Sequence, residues 1–121
     1  MDALKALTTR KSVRSYARKA VPPRLLEKMI NAARLAPTAC NVQPWEFVVI
    51  TDEGLRSALA GLCEYGRFIK DAGAAVVVAC KETKYYLEDG CAATENILTA
   101  ATACGLGSCW VAGDKKAYTP Q

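Results

Sequence analysis

The length, composition and charge of the chain exclude several classes of protein. Its 121 residues suit one domain, and 51% hydrophobic with 23% charged residues are typical of a soluble globular fold. The net charge of +4 is lower than nucleic-acid-binding modules usually carry, and no apolar run approaches the roughly 20 residues that span a bilayer. We therefore expect a single domain over residues 1–121, with neither a nucleic acid nor a membrane as partner.

The cysteine and histidine contents narrow the possible chemistry. The six cysteines form no C-x-x-C pair and the chain contains no histidine, so we predict no metal site. The lack of histidine also excludes Ser-His and Cys-His nucleophiles, and with them that class of hydrolase. Most of the cysteines fall within apolar helix or strand patterns, where a free thiol behaves as a small hydrophobe. We therefore expect reduced thiols in a cytoplasmic protein.

Two helices are predicted at the start of the chain. The first covers residues 2–8, with Leu4 and Leu7 facing inward. Residues 10–21 are apolar at Val13 and polar around it, which predicts an irregular or extended segment. The second helix, over about residues 22–36, begins at a proline pair and ends before the next proline, which disfavours helix in the residue preceding it.

The middle of the chain predicts a strand, a helix and a second strand. Residues 46–51 form a short apolar run that suits a strand, and Asp52 follows it as an N-cap. The helix after Asp52 is expected to place four apolar residues on one face: Leu55, Leu59, Leu62 and Cys63. The continuous apolar run 74–80 predicts a central strand that is covered on both faces.

The longest helical pattern covers residues 85–104 and ends at Gly105. This helix is apolar around most of its circumference, so we expect it to be buried centrally or against a second copy. Residues 108–113 predict a third short strand or a loop. Together the elements indicate an α/β (α+β) layer structure with a central mixed sheet flanked by helices.

Basic residues concentrate near the N-terminus, in a segment that we call the N-terminal strip (residues 10–14). Arg10, Lys11 and Arg14 supply three cations and Ser12 adds a hydroxyl, a donor set that suits a phosphate monoester. A solvated basic stretch would explain the same residues. Charge alone does not decide between these interpretations.

Two prolines, an asparagine, a glutamine and a tryptophan crowd into "PTACNVQPW", which we call the amide loop (residues 37–45). The amides of Asn41 and Gln43 each donate and accept, which matches the edge of a heteroaromatic ring. The alternative is a rigid connector whose amides bond only its own backbone. A third segment, "GLGSCWVAG" (residues 105–113), has two glycines that permit close approach to a flat ligand, although a helix end and a turn also explain them.

Taken together, three segments resemble the nitroreductase family of FMN-dependent NAD(P)H oxidoreductases. They are "RKSVRSY", "APTACNVQPWEFVVI" and "DGCAATENILTAATACGLGSCWVAG", in this order. The resemblance covers essentially the whole chain. Lys11 stands where an arginine is usual, and family members continue beyond residue 121 with a further helix and strand.

The resemblance implies a role for twelve residues. It assigns Arg10, Lys11, Ser12 and Arg14 to the FMN phosphate and ribityl chain, and Trp110, Val111, Ala112 and Gly113 to the flavin ring. It also implies that Pro37, Thr38, Ala39 and Asn41 reach the same flavin from the other subunit of a homodimer, whose interface contains helix 85–104. Cys40, within this loop, is expected to be a small filler, with a redox-active thiol as the alternative.

The implied activity is hydride transfer from NADH or NADPH through FMN to a small electron-poor acceptor such as a nitroaromatic or a quinone. The cofactor carries the chemistry in such enzymes, so we predict no individual catalytic side chain. A second interpretation is a non-catalytic, truncated fragment of the same fold that binds flavin or dimerises without turnover.

Overall fold

The computed structural model describes residues 1–112, which contain four α-helices and two β-strands. The helices are α1 (Ala3–Thr9), α2 (Pro23–Arg34), α3 (Glu53–Leu62) and α4 (Tyr86–Ala103). The strands are β1 (Trp45–Ile50) and β2 (Ala75–Cys80), and two short 3-10 turns lie at Ala39–Asn41 and Arg67–Asp71. The α+β class expected from the sequence is confirmed.

The two strands form an antiparallel pair in which Trp45 lies opposite Cys80 and Ile50 lies opposite Ala75. Within residues 1–112, β2 pairs with β1 alone, so the expected central position of this strand is not found there. The predicted third strand is reduced to an isolated parallel bridge between Ser12 and Ser108. That bridge joins the segment after α4 to the N-terminal strip instead of to the sheet.

Helix α4 lies at the centre of the core, as its apolar circumference predicted. Its buried residues Ala93, Ile97 and Ala101 cluster with residues of α2, and the core side of the sheet packs against the same cluster. Small side chains at Ala33 and Ala93, both fully buried, let the two helices approach closely. A hydrogen bond also joins α4 to α2, because the Asn96 side chain donates to the Ala32 carbonyl at 2.9 Å.

The apolar face predicted for α1 is wrong, and the one predicted for α3 holds only for Leu59 and Cys63, which are partly buried. Leu4 and Leu7 are 74% and 54% exposed, because α1 contacts the core through the small side chain of Ala6 instead. In the same way, Leu55 and Leu62 are 60% and 52% exposed, while Ala60 is the buried residue of α3.

Hydrogen bonds mark the helix ends and confirm the two that were predicted at Asp52 and Gly105. The carboxylates of Asp2 and Asp52 accept from the backbone N–H groups of Lys5 and Leu55, which caps α1 and α3. Gly105 ends α4 with φ +77°, and the Leu106 N–H bonds back to the Ala101 carbonyl at 2.8 Å. Among residues 1–112 no helix combines the length and hydropathy that crossing a membrane requires.

Candidate functional site

The N-terminal strip lies directly against the segment that follows α4. The Val13 N–H donates to the Ser108 carbonyl at 2.9 Å, beside the bridge between Ser12 and Ser108. A side chain at position 107 could not be accommodated easily, since a Cβ there would lie 3.0 to 3.1 Å from three carbons of Val13. Gly107 therefore permits the close approach of the basic N-terminal strip to the aromatic segment after α4, which is distant from it in sequence.

Tyr16 supports this junction from the side. Its hydroxyl donates to the Val13 carbonyl at 2.5 Å, and its ring lies 6.2 Å from that of Phe68, between ring centroids. Burial raises the pKa of Tyr16 above its ordinary value, the nearby Cys109 thiol adds to this, and Arg14 opposes both. The phenol is therefore protonated at neutral pH and remains a hydrogen-bond donor.

A cleft of about 600 Å³ opens beside this junction. It is lined by Arg14, by Glu64, Tyr65, Arg67 and Phe68 from the connection between α3 and β2, and by residues 109–112. The volume is within the range of small-molecule and cofactor sites, roughly 300 to 1,000 Å³. Two guanidinium groups and one carboxylate border the cleft, and the aromatic rings of Phe68 and Trp110 lie among these lining residues.

Four of the predicted site residues meet at this cleft: Arg14, Trp110, Val111 and Ala112. Ser12 lies next to it in the bridge to Ser108, whereas Lys11 is exposed. Arg10 turns toward α4 instead, where its Nε lies 3.8 Å from a carboxylate oxygen of Glu95. The predicted position at Gly113 lies outside the described residues.

Sequence reasoning missed the contribution of residues 64–68, "EYGRF". Gly66 lets this segment approach the site, because a Cβ there would lie 2.8 Å from the Cys63 Cβ and 3.2 Å from Val111. Two aromatic residues and an arginine in one short connection are residue types that often line a ligand-binding cleft. The signal was ambiguous, since only the fold shows which side of the connection is lined by other site residues.

The amide loop has an unusual local conformation. Cys40, Asn41 and Gln43 all have positive φ, between 53° and 55°, which is uncommon for residues other than glycine. The Gln43 amide nitrogen donates to the Asn41 side-chain oxygen at 2.7 Å, and the Gln43 N–H donates to the Thr38 hydroxyl oxygen at 3.2 Å. The two amides are therefore oriented by one another, a bond that neither interpretation of the sequence considered.

In one chain, the amide loop and the N-terminal strip contact α4 at different places. The Ala39 N–H of the loop bonds to Asp89, whereas Arg10 of the strip approaches Glu95. Six residues along an α-helix correspond to about 9 Å of rise and to about 120° around the axis. The predicted loop residues Pro37, Thr38, Ala39 and Asn41 do not line the cleft of the same chain, in the part of it that the structure describes.

The chain is therefore an α+β domain with a cleft beside its N-terminal strip, bordered by arginine and aromatic side chains. The model of the nitroreductase family matches residues 7–88, and the chain belongs to this family. A relative from Archaeoglobus fulgidus is 39% identical to this chain over 116 residues and is provisionally named an NADH dehydrogenase/NAD(P)H nitroreductase. A relative from Methanothermobacter thermautotrophicus with the same provisional name is 36% identical over 115 residues.

Among solved structures, the fold is similar to that of an FMN-dependent nitroreductase from Clostridium difficile, with a TM-score of 0.90 and 31% identity. The match covers 95% of this chain and 69% of that protein. The matches to the two archaeal relatives each cover 91% of this chain. The chain spans 67% of the length of the Archaeoglobus protein and 60% of the length of the Methanothermobacter protein.

Proposed function

We propose that the protein is an FMN-dependent NAD(P)H oxidoreductase that acts as a homodimer on a small electron-poor acceptor, such as a nitroaromatic or a quinone. The single observation that carries the proposal is the convergence of Arg14 and Trp110–Ala112 on one cleft. When bound, FMN would supply the two-electron chemistry between a reduced nicotinamide and the acceptor. The name of the Clostridium difficile structure, which specifies FMN, supports this choice of cofactor.

The cleft residues fit FMN in shape and charge. Arg14 and Arg67 are the cations at its border, and a guanidinium can form two parallel bonds to a phosphate. Phe68 and Trp110 offer flat apolar surface for a ring system, and Trp110 is 40% exposed. These residues bind, orient and shield the cofactor, and we assign no proton transfer to a side chain.

The positions of the two predicted half-sites support a homodimer. The amide loop and the N-terminal strip lie at different places around α4 in one chain, so a second copy is needed to bring a loop to each cleft. The exposed leucines of α1 are apolar surface that a partner could cover. We propose a cytoplasmic location, since the six cysteines form no disulfide, as is usual in a reducing compartment.

The test begins with the absorbance spectrum of the protein as purified and after addition of FMN. We expect a flavin spectrum with bound-state shifts, which NADH or NADPH bleaches under anaerobic conditions and a quinone restores. A protein that retains no flavin after FMN addition would overturn the proposal. Flavin uptake without NADH or NADPH oxidation would instead support the non-catalytic flavin-binding alternative.

A matched pair of variants locates the site. Arg14→Ala removes a cleft cation and is expected to weaken FMN binding about tenfold or more, as expected for loss of a charge-assisted bond. Arg24→Ala makes the same chemical change at an exposed position at the start of α2, and should leave the dissociation constant within about twofold. Equal effects of the two variants would show that only net charge matters.

A further inference from the structure

Asp89 is the one buried polar or charged side chain among residues 1–112, with 5% of its surface exposed. Burial of a carboxylate is costly unless hydrogen bonds replace the lost water. One carboxylate oxygen of Asp89 accepts from the Ala39 N–H at 3.1 Å, across 50 residues of sequence. This bond joins the amide loop to the first turn of α4, where the helix dipole also favours a negative charge.

The loop needs such an anchor because its backbone is strained. Cys40, Asn41 and Gln43 occupy the left-handed region, a conformation that persists when surrounding contacts over-determine it. The bonds from Gln43 to Thr38 and Asn41 fix the internal shape of the loop. They do not fix where the loop lies on the protein, whereas two other bonds do: the bond to Asp89 near the start of the loop, and a bond from the Lys81 N–H to the Pro44 carbonyl, 2.9 Å long, near its end.

We infer that Asp89 is a positioning residue, whose carboxylate holds the amide loop in the conformation that it presents to the flavin site of the partner subunit. This inference rests on the proposed function, which assigns the loop to that site. Asp89 acts through the backbone of Ala39, which precedes both residues whose side chains form the amide pair. Asp89 is the first residue of the third segment that carries the resemblance, but the resemblance implied no role for it.

Both ends of the bond can be removed separately. Asp89→Ala removes the acceptor, and Asp89→Asn retains a side-chain oxygen in the same place. Ala39→Pro removes the donor and leaves the Asp89 carboxylate in place, and Thr38 already has the extended backbone (φ −133°, ψ 155°) that a residue before proline requires. Glu88→Ala is the control, because Glu88 is an exposed carboxylate in the same first turn of α4.

The primary measurement is hydrogen–deuterium exchange of the loop amides, which needs no flavin. We expect Asp89→Ala and Ala39→Pro each to accelerate exchange at Val42 and Gln43 by about tenfold, the effect of losing one charge-assisted bond. The double variant should be no worse than either single variant, because both remove the same bond. Asp89→Asn and Glu88→Ala should remain close to the wild type.

Titration with FMN then connects the loop to the site. We expect the two bond-breaking variants to bind FMN about tenfold more weakly while Asp89→Asn retains most of the affinity. The inference is overturned if exchange in the loop is unchanged in Ala39→Pro, or if Asp89→Asn is as impaired as Asp89→Ala. If the wild type binds no FMN, the proposed function and the flavin role of the loop fail together. If the wild type binds FMN but loop exchange is unaffected, Asp89 alone has been misassigned.

Discussion

Adding one methyl group at Gly107 is expected to separate the N-terminal strip from the segment after α4. The new Cβ would lie 3.0 Å from the Cβ and Cγ1 of Val13 and 3.1 Å from its Cγ2. Carbon atoms prefer separations of about 3.5 to 4.0 Å, so the two segments must move apart by a few tenths of an ångström. Rotation of the Val13 side chain cannot relieve the contact, because its Cβ is one of the three atoms.

The magnitude follows from the cost of overpacking, about 1 to 3 kcal/mol. Gly107→Ala should lower the free energy of unfolding by that amount in urea titrations followed by circular dichroism. If the displacement also reduces the free energy of FMN binding by about 1.4 kcal/mol, the dissociation constant of FMN rises tenfold, which a flavin fluorescence titration measures. Val13→Ala removes two of the three contacting carbons, so it should partly rescue Gly107→Ala.

Gly61→Ala is the matched control for Gly107→Ala. A Cβ at Gly61, in α3, would meet no atom within 4 Å, and alanine favours helix by up to about 1 kcal/mol over glycine. This variant should therefore be as stable as the wild type or more so, with unchanged FMN affinity. Wild-type stability together with wild-type FMN affinity in Gly107→Ala would refute the packing of the strip against this segment.

Two further predictions concern the elements that support the site. The pKa of Tyr16 is raised, which means that the folded state holds the phenolic proton more tightly than the unfolded state does. The contribution of the protonated phenol to stability is therefore complete below about pH 10 and is lost as the pH rises further. Above about pH 10, urea midpoints should fall more steeply for the wild type than for Tyr16→Phe, and parallel curves would contradict this. Arg56 donates to the carbonyl groups of Thr51, Lys70 and Ala72. We therefore expect Arg56→Ala to lower the free energy of unfolding by about 2 to 4 kcal/mol, and Arg24→Ala, at an exposed position, is the control. A loss below about 0.5 kcal/mol, typical of surface changes, would show that these bonds contribute nothing.

The sequence predicted the features whose causes lie within a few residues. The cap at Asp52 and the end of α4 at Gly105 depend on local hydrogen bonds and backbone conformation, so the residue types alone indicate them. The central position of α4 was also predictable, because a helix that is apolar around most of its circumference cannot remain at the surface. The three motifs were sufficient for the family, since their order and spacing do not depend on atomic detail.

Only the tertiary structure decided which surfaces meet. Leu4 and Leu7 had the pattern of a buried face, yet Ala6 makes the contact, because the approach of α1 to α4 depends on both helices. The wall formed by residues 64–68 and the anchor at Asp89 join segments that are far apart along the chain. Periodicity reports the environment of one element, whereas close approach and burial of a charge depend on several elements at once, and this is why the sequence alone left them undetermined.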